Sequence, residues 1–198
     1  MALAADDVLV EIHAVTVNRT RDTQAAKGLY GDASMLPLVP GVDPAGVVAE
    51  VGAGVTDVRP GDRVVVISRT PCLACPACLS GNDGDCRAGS TMGIHRWGGY
   101  AEFIAAPAGN IRTIPDNISF HEAAVFMRHW PTAIQLLDDK AGLKSFETVL
   151  VMGAGGGLGS TGVQIAKLMG ATVIAGAGAD ERVRLGCDLG ADHGINYR

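Results

Sequence analysis

The sequence predicts two units of different class: an all-β or barrel-like unit, followed by an α/β unit with a parallel sheet. Three observations support this prediction. Residues 8–17 alternate apolar and polar side chains, and residues 41–67 are rich in valine and interrupted by Gly and Pro, which is typical of strands joined by turns. Four of the five cysteines lie between residues 72 and 86. Residues 147–178 then follow the order strand, glycine-rich turn, helix and strand of a βαβ unit.

The composition indicates a globular protein and argues against several partner classes. The chain has 198 residues, of which 47% are hydrophobic and 19% charged, enough to bury one or two cores. Its net charge is -5 and it has no basic tract, so we expect no nucleic-acid partner. The first residues lack the features of a secretory signal, and no apolar run reaches the roughly 18 residues of a membrane span. We therefore expect a cytoplasmic protein without a membrane partner.

The elements of the first unit follow from periodicity. Residues 8–17, VLVEIHAVTV, alternate apolar and polar side chains and predict a strand. Residues 41–67 predict several short strands, and residues 97–107 resume strand character. From Ser119 the spacing becomes helical, with Ser119 as the N-cap and Glu122 completing a capping box.

The cysteines of the first unit have the spacing Cys72-x2-Cys75-x2-Cys78-x7-Cys86. In a reducing compartment such a cluster is more typical of a metal site than of disulfides. Four soft thiolates suit one tetrahedral zinc ion, and a site without an open position is structural rather than catalytic. A four-cysteine iron–sulfur cluster and four reduced thiols without metal remain the alternatives. The Pro, Gly, Asn and Asp residues between the cysteines predict a lobe built of turns, without helix or strand.

The glycine-rich turn of the second unit matches the phosphate-binding fingerprint G-x-G-x-x-G in the register Ala154-x-Gly156-x-x-Gly159, with Ala in the first place. Gly157 adds freedom to the turn, and a helix beginning near Leu158 would direct its amides and its dipole at an anion. Because the turn follows a strand and opens a helix, we expect these five residues to bind a dinucleotide. The alternative is a tight turn without a ligand.

The end of the second strand bears on which dinucleotide is bound. An Asp or Glu at this place hydrogen-bonds the ribose of NAD, but here the position is Ala177. A small residue leaves room for a 2'-phosphate, and an arginine can pair with it, with Arg182 and Arg184 both close by. We therefore expect NADP(H) rather than NAD(H), with Arg182 as the candidate residue, the alternative being that Arg182 and Arg184 are solvated helix residues. A second helix is predicted at residues 180–190 and a short strand at residues 193–198.

Together these segments resemble the medium-chain dehydrogenase/reductase superfamily, which includes zinc alcohol dehydrogenases and quinone oxidoreductases. The matching stretches, in the order of the family, are VLVEIHAVTVNRTRD, PGVDPAGVVAEVGAGVTDVRPGDRVVV, the four-cysteine lobe, WGGYAEF and VLVMGAGGGLGSTGVQIAKLMGATVI. The resemblance implies a GroES-like catalytic domain over residues 1–128, with a structural-zinc lobe at about 70–95, and a partial Rossmann domain over residues 129–198. It also implies that Thr132 lies beside the nicotinamide.

The catalytic zinc of this family has no complete set of ligands here. The family binds that ion with a cysteine in the segment that reads NRTRD, a histidine after the glycine of PGVD, and a Cys or acid near MRHW. No cysteine precedes Cys72, and Val42 stands where the histidine belongs, with Asp43 and His129 nearby. Two groups do not complete a three-ligand site, so we expect no catalytic zinc.

Without a metal, a developing oxyanion must be stabilised by hydrogen-bond donors. Zinc-free relatives carry polar, substrate-facing residues at the positions of Asn18 and Tyr30, which are therefore the candidate catalytic residues. The alternative is that Asn18 caps a turn and that Tyr30 packs.

The resemblance implies an NADP(H)-dependent oxidoreductase that transfers hydride to a quinone, enone, enoyl thioester or carbonyl. A zinc-dependent alcohol dehydrogenase is the first alternative. Relative to the family, the chain begins late and ends after the third Rossmann strand, so an inactive fragment or a binding module is the second. A small-molecule substrate and a homo-oligomer are further expectations from the family.

Overall fold

The computed structural model describes residues 3–29 and 36–198, and the chain divides into two compact units, residues 1–127 and 128–198. The boundary expected from the sequence, between residues 128 and 129, lies one residue later. The first unit is built on antiparallel strands and the second on a parallel sheet, which confirms the predicted fold class. No helix within the described ranges is both long and apolar enough to cross a membrane.

The first unit is an antiparallel β structure with a few helices. Its described strands are β1 (Asp7–Thr16), β2 (Val42–Val51), β3 (Arg63–Val66), β4 (Arg69–Thr70), β5 (Ser90–Thr91), β6 (Phe103–Pro107) and β7 (Ile111–Thr113). Five of them form one sheet in the order β6-β1-β2-β3-β7, and β4 pairs with β5 in a separate two-stranded ladder. The helices are α1 (Arg19–Ala26), α2 (Pro76–Leu79) and α3 (Phe120–Ile134), of which α3 continues into the second unit.

Valine side chains at alternate positions fill the core of the five-stranded sheet. Val8 and Val10 on β1 are fully buried, as are Val64 and Val66 on β3. β-branched side chains fit the pleated surface of a sheet, and burying each one contributes about 1.5–3 kcal/mol. The alternation at residues 8–17 therefore confirms the predicted strand.

The segment at residues 41–67 differs from the several short strands that were predicted. Strand β2 alone runs over ten residues, and only β3 follows it in this segment. Gly46 permits the long strand, because a Cβ at this position would lie 1.8 Å from the carbonyl oxygen of Glu11 on β1. A glycine in mid-strand thus marks a close approach of two backbones rather than a strand end.

The strand predicted at residues 97–107 is shorter than expected and consists of β6 alone. The amides of Gly98 and Gly99 donate instead to the carbonyl oxygens of Val39 and Gly41, before β2. These hydrogen bonds hold the preceding segment against another loop and keep it out of the sheet.

Helix α3 begins as the sequence predicts. The amide of Glu122 donates to Ser119 Oγ at 3.2 Å, and the amide of Ser119 donates to the Glu122 carboxylate at 2.8 Å. The hydroxyl and amide of Ser119 hold the pKa of Glu122 below its usual value, as in a capping box. After Pro131, which removes one helical hydrogen bond, α3 ends at Ile134 and continues as a π-helical turn, Gln135–Lys140.

The second unit is a three-stranded parallel sheet with helices in its crossovers. Its described elements after α3 are β8 (Thr148–Met152), α4 (Gly157–Leu168), β9 (Thr172–Ala177), α5 (Asp180–Asp188) and β10 (His193–Asn196). The strand order is β10-β9-β8, and both pairs are parallel. This confirms the predicted βαβ unit, extended by the second helix and the third strand.

An ion pair ties the far end of α4 to the segment before β10. Lys167 Nζ lies 2.8 Å from Asp192 Oδ2, which also accepts the amide of Val173 on β9 at 2.7 Å. The hydrogen bonds from Lys167 and Val173 lower the pKa of Asp192. The carboxylate therefore stays ionised at neutral pH and links the helix to the sheet.

Asn110 joins the base of the cysteine lobe to the main sheet. Its buried side chain donates from Nδ2 to the carbonyl oxygens of Ile67 at 2.6 Å and Arg69 at 3.0 Å. Its Oδ1 accepts the hydroxyl of Thr70 at 3.3 Å. These partners lie directly after β3 and on β4, so one side chain fixes the path by which the backbone enters the lobe.

We predict that Asn110→Ala lowers the free energy of unfolding by about 1–3 kcal/mol, because two carbonyl groups lose their donor. Urea-induced unfolding followed by circular dichroism measures this change. Asn117→Ala, at an exposed position, is the control and should change stability by less than about 0.5 kcal/mol. Equal stabilities of the two variants would contradict the role assigned to Asn110.

Candidate cofactor and metal sites

The four sulfur atoms of the lobe converge on one point. The Sγ atoms of Cys72, Cys75, Cys78 and Cys86 all lie within 4.8 Å of one another. The distance is 3.4 Å between Cys75 and Cys78, and 3.9 Å between Cys72 and Cys78. A tetrahedral zinc ion with Zn–S bonds of about 2.3 Å places its sulfur ligands about 3.8 Å apart. The residues therefore fit one zinc ion with four thiolate ligands and no open coordination position.

The lobe contains regular structure, contrary to the prediction from its turn-forming residues. Helix α2 begins directly after Cys75, and a 3-10 turn, Asp83–Asp85, precedes Cys86. The helical turn brings Cys75 and Cys78 to the same side, because residues three positions apart are neighbours on a helix. The amide of Cys75 donates to Cys72 Sγ, and the amide of Cys72 donates to Cys86 Sγ, both at 3.3 Å.

The cysteines of the lobe differ in their affinity for protons. Backbone amides of Ala74 and Cys75 lower the pKa of Cys72 to about 6. Burial, followed by the hydrogen bond with Cys75, raises the pKa of Cys78 to about 12. Without metal, Cys72 therefore loses its proton more readily than Cys78. Metal binding must displace at least one proton, because the ligand is the thiolate.

The position of the family's zinc-binding histidine offers no metal ligand. Val42 occupies it and is buried in β2, and the adjacent Asp43 is also buried, with a φ of 56°. Within residues 3–29 and 36–198, the four cysteines are the only group of three or more His, Cys, Asp or Glu side chains that could share a metal ion.

The turn between β8 and α4 requires glycine at two positions. Gly153 has a φ of 68°, in the left-handed region that favours glycine. A Cβ at Gly159 would lie 2.2 Å from the carbonyl oxygen of Gly153, so only glycine lets α4 approach the end of β8. Gly156 caps α4 in an extended conformation, and the helix begins at Gly157. The first amides of such a helix lack intrahelical partners, and they can bind an anion.

Ala154 and Leu158, two more predicted cofactor residues, do not direct their side chains into the turn. Ala154 is fully buried in a core with Val163 and Ala175, and its amide donates to the carbonyl oxygen of Gly176 at 3.1 Å. Alanine at the first fingerprint position thus anchors the turn to β9. Leu158 is 39% exposed and lines an apolar groove of about 470 Å³ beside β8.

Two basic side chains pack directly on the turn. The stem of Arg182, from α5, lies on Gly155, where a Cβ would be 2.7 Å from Arg182 Cβ. The ring of His129, from α3, lies on Gly157, where a Cβ would be 2.4 Å from His129 Nε2. Thr132, also on α3, is exposed. The turn therefore combines bare backbone with the imidazole of His129 and the side-chain stem of an arginine, a combination that suits a phosphate.

The end of β9 carries no acid, as the sequence indicates. Ala177 is buried, and Gly178 follows it. Arg198, after β10, reaches this point: its Nε would be 3.1 Å from a Cβ at Gly178. Asp180, the first acid after β9, accepts the side-chain amide of Asn196 at 2.6 Å. The contact of Arg198 with Gly178 was not predicted, although parallel strands end at one edge of a sheet and this rule places the ends of β9 and β10 together.

Asn18 has the capping position that was the alternative to a catalytic role. Its Oδ1 accepts the amide of Arg21 at 3.0 Å and caps α1. The backbone amide of Asn18 donates to Asp22 Oδ2 at 2.7 Å, and the Tyr100 hydroxyl donates to the same oxygen at 2.5 Å. Capping uses only the side-chain oxygen of Asn18, so the cap is compatible with Nδ2 serving as a donor. Tyr30, the second catalytic candidate, lies outside the described residues.

Comparison with known proteins identifies two domain families in succession along the chain. Residues 4–116 match the alcohol dehydrogenase GroES-like domain, and residues 157–198 match the zinc-binding dehydrogenase family. The first match alone covers more than half of the chain.

Individual relatives extend this likeness over nearly the whole chain. An alcohol dehydrogenase of Geobacillus stearothermophilus is 41% identical over 191 residues, which cover 96% of this chain and 56% of that protein. A quinone oxidoreductase of Sus scrofa is 32% identical over 193 residues, which cover 98% of this chain and 50% of that protein. The crystal structure of an NAD-dependent alcohol dehydrogenase, 40% identical, superimposes with a TM-score of 0.94 over 100% of this chain and 57% of that chain.

The chain therefore spans about half the length of the curated relatives it matches. Its two domain families, their order and the shared fold agree with one another, and they agree with the resemblance seen in the sequence motifs. The chain belongs to the medium-chain dehydrogenase/reductase superfamily of oxidoreductases.

Proposed function

We propose that this protein is an NADP(H)-dependent oxidoreductase that transfers hydride to a quinone, enone, enoyl thioester or carbonyl, and that its zinc ion is structural. The observation that carries the proposal is the glycine turn. A Cβ at Gly159 would meet the carbonyl oxygen of Gly153, one at Gly155 or Gly157 would displace the side chain of Arg182 or His129, and the first amides of α4 are left to an anion. Bound NADPH would supply the hydride. The chain's own residues hold the cofactor and polarise the acceptor.

The preference for NADP(H) rests on the end of β9. Ala177 offers no carboxylate to a ribose 2'-hydroxyl, and Arg182 and Arg198 lie on Gly155 and Gly178. Two guanidinium groups favour a 2'-phosphate because charge-assisted hydrogen bonds to phosphate are strong. The NAD-dependent structural relative shows that the superfamily uses NAD as well, so these residues, and not the fold, must set the choice.

The acceptor oxygen needs a hydrogen-bond donor if no metal polarises it. We assign this role to Nδ2 of Asn18, whose Oδ1 is held by the amide of Arg21. The cap fixes the orientation of the amide plane before substrate arrives, which is the pre-organisation that oxyanion stabilisation requires. Tyr30 remains the second candidate for the same role.

A zinc-dependent alcohol dehydrogenase is the second candidate function, favoured by the relative from Geobacillus stearothermophilus. It requires a second zinc ion with at least three protein ligands. Val42 at the family's histidine position argues against that ion, because valine has no donor atom. The zinc content of the active protein separates the two functions: one ion per chain supports the reductase, and two support the alcohol dehydrogenase.

Binding of the nicotinamide cofactor tests the proposal first. We predict that the protein binds NADPH more tightly than NADH, and that Arg182→Ala raises the NADPH dissociation constant about 10- to 100-fold, the effect of one charge-assisted hydrogen bond. The NADH constant should rise by a smaller factor, because NADH keeps the pyrophosphate beside Gly155 but lacks the 2'-phosphate. Fluorescence titration of the nicotinamide measures both constants.

Arg184→Ala is the matched control, since Arg184 lies on the same helix and is exposed. It should leave both constants unchanged. Equal binding of NADPH and NADH by the unaltered protein would contradict the NADP preference, and binding of neither would favour the inactive fragment.

Asn18→Asp separates catalysis from capping, because aspartate keeps the capping oxygen and removes the amide donor. We predict that kcat/KM for quinone or enone reduction falls by about 10²-fold while the melting temperature stays within about 2 °C. Asn18→Ser, which keeps both a capping oxygen and a donor, should lose less activity. Full activity of Asn18→Asp would show that Asn18 is only a cap.

Zinc binding should depend on pH in a defined direction. At pH 7 the thiol at Cys78 must lose its proton, so zinc uptake by the metal-free protein should release at least one proton. As the pH falls below about 6, Cys72 becomes protonated and the affinity for zinc should fall further. Calorimetry in buffers of different ionisation enthalpy measures the proton release. Cys187→Ser, outside the lobe, should behave like the unaltered protein, and Cys78→Ser should bind zinc more weakly.

A further inference from the structure

His129 packs on the glycine turn, yet neither the fingerprint nor the family likeness assigns it a role there. Its Nε2 lies 2.4 Å from the position that a Cβ of residue 157 would occupy. Since a C–C bond is about 1.5 Å long, Nε2 lies within about 4 Å of the Cα of Gly157. Gly157 is the first residue of α4, where the bare amides of the anion site begin. The imidazole therefore borders the place where the fingerprint puts a pyrophosphate.

The ring nitrogens of His129 are free to serve a ligand. Neither makes a hydrogen bond to another residue of the described ranges, 3–29 and 36–198. The ring is half-buried, so it is held by packing and still reaches solvent at the turn. Gly157 contributes by having no side chain, because any Cβ there would displace the ring.

The charges around the ring favour the neutral form when no anion is bound. Burial, and then the positive charge of Arg128, lower the pKa of His129. Arg182, from α5, is a second positively charged residue here, and its side-chain stem lies on Gly155 of the same turn. The groups that shift His129 include no carboxylate. An anion at the turn would reverse this balance, because a negative charge near an imidazole favours the protonated form.

We propose that His129 is a cofactor-binding residue, which donates a hydrogen bond from Nε2 to the pyrophosphate and takes up a proton as the dinucleotide binds. The inference rests on the proposed dinucleotide site. It adds a residue from α3 to a site otherwise made by the turn, α4 and α5. It also predicts that affinity rises as the pH falls. The gain begins at the pKa of His129 in the complex and levels off below the lower pKa of the free protein.

The test uses ADP-ribose, which carries the pyrophosphate but no 2'-phosphate or other group that titrates between pH 5.5 and about 8.5. Calorimetry on the full chain gives its dissociation constant across this range. For the unaltered protein we expect the constant to fall with pH by up to about tenfold per unit within part of the range. His129→Gln keeps an N–H donor without titrating, so its constant should not vary with pH. His129→Ala should bind about two- to tenfold more weakly than His129→Gln at pH 8.

Two controls separate this role from a structural one. His121→Gln, at an exposed position on the same helix, should keep the pH dependence of the unaltered protein. Adenosine 2'-monophosphate lacks the pyrophosphate, so the pH dependence of its binding should be the same for the unaltered protein and for His129→Gln.

The possible results separate the two proposals. A pH dependence of ADP-ribose binding that persists in His129→Gln, or unchanged ADP-ribose binding by His129→Ala, would overturn the role of His129 and leave the dinucleotide site standing. Failure of NADPH and ADP-ribose to bind at any pH would overturn both.

Discussion

The close approach of α4 to the end of β8 is the constraint on which the second unit depends. Gly159 meets the carbonyl oxygen of Gly153 at a distance that admits no side chain. This contact sets where the helix begins and leaves its first amides bare at the end of the sheet. Ala154 also holds the turn in place, because its side chain is buried in the core of this unit. The chemistry proposed for this unit follows from that one backbone contact, because it creates the surface on which a phosphate can rest.

In the first unit, a few side chains hold the cysteine lobe together. A lobe with little apolar core of its own is held by four sulfur atoms and by the Asn110 side chain at its base. A bound zinc ion would stabilise such a lobe, because metal binding free energy is available to folding. The sulfur atoms fill all four positions of a tetrahedron, which leaves the metal no place for substrate. The proposed function therefore gives the catalytic role to hydrogen-bond donors elsewhere in the chain.

The sequence predicted those features that depend on local spacing. Three features each depend on residues of one short segment, and the structure contains all three. They are the four-cysteine cluster, the Ser119–Glu122 capping box and the strand–turn–helix around Gly156. Features that depend on distant contacts were missed. The sequence pattern predicted a strand break at Gly46. The contact that requires glycine there is with the carbonyl group of Glu11, which lies on another strand. The contact of His129 with Gly157 and that of Arg198 with Gly178 are likewise set by the fold and leave no local pattern.

The central claim is that the glycine turn binds the dinucleotide. Backbone amide resonances of 15N-labelled protein, followed during titration with NADPH, test this most directly. The account predicts that the largest shifts fall on the amides of residues 155–160 and on those around Arg182, and that they saturate together. Saturable shifts confined to other parts of the chain, or no shifts at all, would contradict it.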